Sequence, residues 1–203
     1  MNNFPTPDWQ KNSDGLLPAI VQHVNTGQVL MLGYMNMEAL RTTIETGFVT
    51  FYSRSKKRLW KKGETSGNIL KFVSVSVDCD NDALLIQAIP QGATCHTGNR
   101  SCFASDESPL ETIGLLIETI RSRSESDAAS SYTKQLLEGG IEAYGAKVLE
   151  EAEEVVRAAR EEGKQRTIEE ASDLLYHLLV LLRGQNVELS DVAAELRRRR
   201  NQQ

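Results

Sequence analysis

At Ser105-Asp106-Glu107-Ser108-Pro109 the chain changes character, and no other feature limits its fold as strongly. Upstream, β-branched and aromatic residues recur in short alternating runs, and all three cysteines fall between positions 79 and 102. Downstream the cysteines vanish, and Ala, Leu, Glu and Arg repeat at helical spacing. The break predicts two domains: a β-rich α+β domain over residues 1–107 and an all-α bundle over 108–203. A chain of 203 residues is long enough for two small cores.

In the first half, Pro18–Val24 and Gln28–Leu32 flank the turn Asn25-Thr26-Gly27 as a hairpin. Asn36 is placed to cap a helix over Met37–Ile44, which Gly47 ends. Phe48–Ser53 is a further strand that runs into Arg54–Gly63, six of whose ten residues are basic. Such a run is commonly a solvated hairpin tip. Its continuation favours another reading. In Gly63-Glu64-Thr65-Ser66-Gly67-Asn68 two glycines bracket hydroxyl side chains, so amides and hydroxyls can approach an anion closely. A basic strand followed by a glycine loop makes a phosphate cradle. With only Trp60 and Tyr52 beside it for stacking, a small phosphorylated ligand suits it better than nucleic acid.

The hexapeptide Val77-Asp78-Cys79-Asp80-Asn81-Asp82 places three carboxylates and a thiol on one short stretch. Continued as the end of a strand Phe72–Val77, alternation sends Val73, Val75, Val77 and Cys79 to one face and Ser74, Ser76, Asp78 and Asp80 to the other. Two acids on one edge, with Asp82 following, repel unless a cation sits among them, and a thiol on the apolar face can serve as a soft ligand. That points to two metal positions, one oxygen-lined and one sulfur-lined. A plain strand-ending turn has the same composition, and the hexapeptide alone leaves both readings open. Ala83–Ile89 fits a buried strand and leads into the loop Gly92–Phe103. There Cys95 and Cys102 are separated by six residues, with Cys79 sixteen positions before Cys95. This is not the CxxC spacing of a zinc finger. Three thiolates nevertheless fill three corners of a tetrahedron, which is how a catalytic zinc keeps a place for water. Free thiols packed as small hydrophobes are the simpler alternative. His96 adjoins Cys95, and an unperturbed pKa of ~6.5 suits it to proton transfer.

Hydrophobic content of 40% and charged content of 25% are those of an ordinary soluble protein. No apolar run approaches the ~20 residues that span a bilayer, and Met1–Pro5 has neither the basic start nor the apolar stretch of a signal peptide. The expectation is a cytoplasmic protein with no membrane partner. An odd number of cysteines argues against a secreted disulfide framework, and a net charge of -5 argues against nucleic acid as partner.

In the second half Ser108 is placed to cap a helix with Pro109 first and Glu111 third, running to about residue 123. A polar loop Ser124–Ser131, a short helix Tyr132–Glu138 and the stop Gly139-Gly140 follow. The next helix, Ile141 to about Glu162, should bury Val148, Ala152, Val155 and Ala159, with Glu151 bordering that stripe, Glu154 one step further and Glu153 on the opposite flank. Glu170–Leu182 is apolar nearly all round and should be buried, yet Glu170, Asp173 and His177 fall within about 60° on its wheel. Ionised carboxylates on a buried helix need partners. The pairs Glu151/Glu154 and Glu170/Asp173 can together hold Mg²⁺, an ion normally shared with substrate phosphates. Glu170 also completes a capping box with Thr167, which leaves Asp173 unexplained; the metal reading requires Asp173 to face inward. Asp191–Arg200 is a basic surface or interface helix.

Seven stretches carry a resemblance over nearly the whole chain. They are Leu30–Asn36, Arg58–Gly67, Asp78–Asp82 and Cys95–Cys102, then Ser131–Thr133, Lys147–Glu154 and Glu170–His177. On these the chain resembles the bifunctional histidine-biosynthesis family that joins phosphoribosyl-AMP cyclohydrolase to phosphoribosyl-ATP pyrophosphohydrolase. The resemblance implies a cyclohydrolase domain over 1–107 and a pyrophosphohydrolase domain over 108–203, the latter of the all-α nucleotide pyrophosphatase type. It implies Asp78, Asp80 and Asp82 as Mg²⁺ ligands and Cys79, Cys95 and Cys102 as Zn²⁺ ligands, with Cys79 from a different subunit, hence a homodimer. The family's ExxE and ExxD motifs match Glu151/Glu154 and Glu170/Asp173, although Glu150 and Glu153 leave the register open. Arg54, Trp60, Lys61, Gly63, Glu64, Thr65, Ser66, Gly67 and Lys147 would bind the phosphoribosyl nucleotides. By the same likeness, Mg²⁺ would neutralise the triphosphate while water releases pyrophosphate. Zinc-bound hydroxide would attack adenine C6 and open the N1–C6 bond; His96, from its place beside Cys95, is the candidate to shuttle the proton. The alternative is a general nucleotide pyrophosphatase fused to a zinc-stapled, non-catalytic assembly module.

Overall fold

Leu17, Ala19, Val21 and His23 are buried at alternate positions of β1 (Leu17–His23), so one face of this strand carries a core. The computed structural model describes residues 6–103, 107–125 and 131–202. Met1–Pro5, Ser105 and Asp106 of the boundary stretch, and residues 126–130 of the polar loop lie outside the described residues. The chain forms two compact units, Met1–Thr112 and Ile113–Gln203. The first is strand-rich and the second helical, in the predicted order.

In the first unit β1 pairs antiparallel with β2 (Val29–Met35) through the expected hairpin. On its other side it pairs parallel with β6 (Leu84–Pro90), which pairs antiparallel with β5 (Leu70–Val77). The sheet order is β2-β1-β6-β5. Helix α1 (Met37–Thr46) starts where expected, because Asn36 accepts a hydrogen bond from the Ala39 amide at 2.8 Å. It stops at Gly47, whose φ of 73° is open to glycine at little cost. Thr43 ties the helix to the next strand: its hydroxyl accepts from the Thr50 amide at 2.9 Å and donates to the Ala39 carbonyl at 2.9 Å. That strand, β3 (Thr50–Ser53), pairs with β4 (Arg58–Lys61) as a two-stranded sheet, so the basic run is a hairpin tip followed by a strand. Phe51, Leu30, Leu70 and Ile86 are fully enclosed in the core these strands share.

β5 departs from simple alternation. A bulge between Phe72 and Ser74 advances the strand by one residue, so Val73 is 45% exposed while Phe72, Val75 and Val77 pack on the core. The expected common face of Val73, Val75, Val77 and Cys79 is therefore not formed. The strand also ends at Val77, and Asp78–Asp82 is a turn in which Asn81 has φ of 64°.

The helical unit comprises α2 (Pro109–Glu125), α3 (Tyr132–Glu138), α4 (Gly140–Arg157), α5 (Lys164–Gly184) and α6 (Leu189–Arg200). Ser108 caps α2 as expected, accepting from the Glu111 amide at 3.1 Å. Helix α4 ends in a π-turn over Ala158–Glu162, closed by the Gly163 amide on the Ala158 carbonyl at 3.0 Å. The chain then doubles back: Gln185, after α5, donates to the Tyr144 hydroxyl near the start of α4 at 2.5 Å. Gly184 makes room for that tyrosine ring, since a Cβ there would stand 2.8 Å from it.

Three expectations for these helices are corrected. The buried line of α4 runs through Tyr144, Glu151 and Ala158, and Ala159 is exposed, so the stripe is rotated from the one expected. Helix α5 is not buried all round: Ala171, Ser172 and Asp173 are exposed, while Glu170, His177, Leu179 and Val180 face inward. Thr167 is no cap, because α5 begins three residues earlier and the Thr167 hydroxyl donates to the Gly163 carbonyl. Among the described residues no helix is long and apolar enough to cross a membrane.

Gly33 of β2 lies against the face of Phe51 so closely that any Cβ would overlap the ring. Gly33→Ala is expected to destabilise the protein by about 1–3 kcal/mol, read as a lower urea midpoint at unchanged slope.

Candidate functional site

The glycine cradle and the cysteine loop of the strand-rich unit meet at one asparagine. Gly63 has φ of 83°, and a Cβ on it would strike the Asn68 carbonyl; Gly92 has φ of 98°, and a Cβ on it would stand 2.5 Å from Asn68 Oδ1. Glycine at both positions lets residues 63–68 lie against residues 92–102. The far end of the cysteine loop is strapped to β2: the Ser101 hydroxyl donates to the Val29 carbonyl at 2.7 Å, and the Cys102 amide to the Leu30 carbonyl at 2.7 Å.

Between the two loops lies a cleft of about 490 Å³, large enough for a nucleotide. Trp60, Lys61, Gly63, Glu64, Thr65 and Ser66 line one side, and Thr94, Cys95, His96 and Cys102 the other. Trp60 is braced against Phe51, with ring centroids 5.1 Å apart. Glu64 is held by Arg58 through two hydrogen bonds of 2.5 and 3.2 Å. Arg54 is not on the cleft wall: its guanidinium stacks on the Tyr34 ring at 3.9 Å. Gly67 closes the cradle, its amide donating to the Gly63 carbonyl at 2.9 Å.

Hydrogen bonds to the Cys95 sulfur favour its thiolate form. The Thr97 hydroxyl donates to its sulfur at 3.0 Å, and this bond, with the amides of Thr97 and His96, lowers its pKa. His96 Nδ1 lies 3.8 Å from the same sulfur. Cys102 approaches Cys95, and partial burial together with that neighbour raises its pKa. Lys62 reaches the same wall, buried, with Nζ 3.3 Å from the Asn68 carbonyl and a pKa lowered by burial. Lys62 is one of six bases among the ten residues 54–63, and only the fold distinguishes the one that turns inward. Thr94 Oγ1 is buried on the cleft wall with no hydrogen-bond partner, an acceptor and donor to spare. Cys79 stands elsewhere, exposed, with its sulfur 4.0 Å from Asp80 Oδ1, so one chain brings together two of the three cysteines.

Asp78, Asp80 and Asp82 offer oxygens that all lie within 4.8 Å of one another. Asp78 Oδ1 accepts the amides of Ala83 at 3.0 Å and Asp82 at 2.9 Å, which lowers its pKa. The hexapeptide is a turn by its backbone, and its three carboxylates converge at the surface. A cation already sits there: Lys11 Nζ is 2.6 Å from Asp80 Oδ2 and 3.3 Å from Asp82 Oδ2.

In the helical unit Glu151, Glu154 and Glu170 form a second group within 4.8 Å. Glu150 and Glu153 are exposed, so the inward register is 151 and 154. Asp173 is exposed and not in this group, which removes the argument that its burial demands a metal. Glu170 is 2% exposed and pairs with Arg166, yet its Oε1 has no well-directed hydrogen bond. Burial holds its carboxyl above the ordinary glutamate value against the pull of Arg166, with Glu154 and Glu151 adding to the shift. Glu154 is paired with Arg157 at 3.1 Å, and Glu151 lies 3.6 Å from Lys147 and 3.5 Å from His177 Nδ1. The Tyr132 hydroxyl lies 3.1 Å from the other nitrogen of that buried histidine.

Comparison with known proteins divides the chain in the same order. The phosphoribosyl-AMP cyclohydrolase family matches residues 31–104, and the phosphoribosyl-ATP pyrophosphohydrolase family matches residues 114–200. The chain is similar to the histidine biosynthesis bifunctional protein HisIE of Salmonella typhimurium, 50% identical over 192 residues, covering 95% of this chain and 94% of that one. It is 49% identical over 195 residues to the HisIE of Shewanella oneidensis, covering 96% and 92% of the two chains.

The raised pKa of Glu170 fixes the sign of a pH effect. A carboxyl that holds its proton more tightly when folded costs stability as pH rises through the ordinary glutamate range, near ~4.3, and the full cost persists above the raised value. In protein stripped of divalent ions, Glu170→Gln is expected to unfold at higher temperature than the parent near neutral pH. The gap should close on acidification to about pH 4; a variant less stable at neutral pH would contradict this.

Proposed function

The chain belongs to the bifunctional histidine-biosynthesis family, HisIE, and from that premise we propose how its residues divide the work. It acts as a phosphoribosyl-ATP pyrophosphohydrolase and a phosphoribosyl-AMP cyclohydrolase. Membership displaces the alternative of a general nucleotide pyrophosphatase fused to a non-catalytic module. We assign the cyclohydrolase to residues 1–107 and the pyrophosphohydrolase to 108–203, the latter as an all-α nucleotide pyrophosphatase, in a cytoplasmic homodimer.

The donor sets fit the metals that this chemistry calls on. Cys95 and Cys102 would hold Zn²⁺, with Cys79 supplied by a second copy, and the separation of Cys79 from the other two within one chain supports that division. Asp78, Asp80 and Asp82, the last two already bridged by the Lys11 ammonium, suit Mg²⁺, as do Glu151, Glu154 and Glu170 with their incompletely bonded, buried oxygen. Asp173, exposed and outside that group, does not face inward as the metal reading required, and no ligand role is assigned to it. When bound, Zn²⁺ supplies a water that ionises near neutrality, and Mg²⁺ supplies positive charge against phosphates.

The chain's own residues do the rest. In the cleft, Lys61, Thr65 and Ser66 bind the phosphates of phosphoribosyl-AMP, and Trp60 gives a flat wall for a ring. Arg54 and Glu64 shape the cradle from outside and from its rim, Glu64 through Arg58. His96, exposed at the cleft beside Cys95, carries a proton between water and the adenine ring as the N1–C6 bond opens. In the helical unit Lys147 is positioned to meet a phosphate at the rim of the acid group, and the buried His177 stands beside Glu151 with Nδ1 3.5 Å away.

The observation that carries this reading is the cleft, where the glycine cradle and the thiols with His96 form opposite walls. Purified protein incubated with phosphoribosyl-ATP, with both products followed, tests it. Cys95→Ala should cut ring opening by at least about 100-fold and leave pyrophosphate release within about twofold. Glu154→Gln should do the reverse when phosphoribosyl-AMP is supplied directly. Loss of both activities in either variant would contradict separate sites.

A further inference from the structure

Residues 8–12 lie against the acidic turn, fixed on both sides of Lys11. The Asp8 amide donates to the Asn81 carbonyl at 2.7 Å, the Lys11 amide to the Asp8 carbonyl at 3.3 Å, and the Asn12 side chain to the Leu16 carbonyl at 2.9 Å. Trp9 packs on the core between them. This anchoring delivers the Lys11 ammonium to Asp80 Oδ2 at 2.6 Å and Asp82 Oδ2 at 3.3 Å. Those two atoms belong to the group that converges with Asp78.

We propose that Lys11 is the built-in counter-ion of the Asp78, Asp80, Asp82 turn, holding the cation position until a divalent ion enters and then giving it up. The inference rests on the reading of this turn as a divalent-metal site. An ammonium and a divalent ion on the same two oxygens repel each other at contact distance, so binding of the metal favours release of the ammonium. Exchange follows, and it lowers the apparent affinity of the site for metal by whatever Lys11 gains from its two ion pairs. In return the turn keeps its shape without metal. Asp78 needs no such help, since two backbone amides already satisfy Oδ1.

Manganese(II) serves as the probe, titrated into the full-length, chelator-treated protein with free ion followed by its paramagnetic resonance. The ion lost in Asp80→Asn identifies the turn among other sites. At that site Lys11→Gln should bind manganese roughly tenfold more tightly than the parent, from the two partly exposed pairs removed. Independently, the parent's Lys11 should be acetylated severalfold faster when Mg²⁺ saturates the protein than without it, read by peptide mass spectrometry. Equal or weaker manganese binding by Lys11→Gln, or unchanged labelling of Lys11, would overturn the exchange while leaving the metal site standing. If Asp80→Asn removes no bound ion, the metal reading fails and the exchange fails with it.

Discussion

Carboxylates within 4.8 Å of one another repel, and each unit of this protein builds such a group of three. What surrounds the groups decides how that repulsion is met. The turn at Asp78–Asp82 is at the surface, where water screens charge and backbone amides donate; there the Asp78 pKa moves down. Glu151 and Glu170 are buried, with fewer donors, and there the Glu170 pKa moves up. Asp78 and Glu170 thus shift in opposite directions, Asp78 because backbone amides bond its carboxylate and Glu170 because burial strips its carboxylate of water. In both, a basic side chain makes up part of the deficit: Lys11 in the first, Arg157 and Arg166 in the second.

The cleft depends on a different constraint, the close passage of two loops. Asn68 is the hub: Gly63 lies on its carbonyl, Gly92 on its side chain, and Lys62 donates to it. Because the contacts at Gly63 and Gly92 exclude a Cβ, the cradle and the thiol loop keep their spacing without side chains between them. Lys62 then sits near Cys95 and Cys102 with its charge partly desolvated, where thiolates raise its pKa and burial lowers it. A cation so placed favours thiolate over thiol, the form that a metal takes.

Much of this was legible in the residues. Asn36 and Gly47 bound α1, Ser108 caps α2, and the hairpin Leu17–Met35 turns at Asn25-Thr26-Gly27, because each depends on local backbone chemistry alone. The cradle and the cysteine loop stood out by composition. What was not legible came from packing between elements. The bulge at Val73 arises from pairing with β6, which no period-two pattern within β5 encodes. The rotation of the α4 stripe follows from Tyr144 seating against Gly184 and Gln185, a contact forty residues away in sequence. The nearness of Lys11 to the acidic turn depends on a strap closed by the Asn81 carbonyl, and neither partner carries a motif.

Asp173 shows why a helical wheel is a weak guide to burial. Glu170 and Asp173 sit three residues apart, about 60° round the helix, which is enough to separate an inward side chain from a solvated one when the apolar stripe is narrow. The all-round hydrophobicity of Leu174–Leu182 hides this, since the apolar run begins only after Asp173 and says nothing of the turn before it. An ion of the Mg²⁺ kind keeps waters and takes substrate phosphates, so a site walled by carboxylates on every side would leave no room for either. Here Glu151 and Glu170 are buried, Glu154 is half-buried and Asp173 is exposed outside the group, so carboxylates do not wall it on every side. Arg157 and Arg166, both half-exposed, offset the charge of Glu154 and Glu170, one from the last turn of α4 and the other from the first turn of α5.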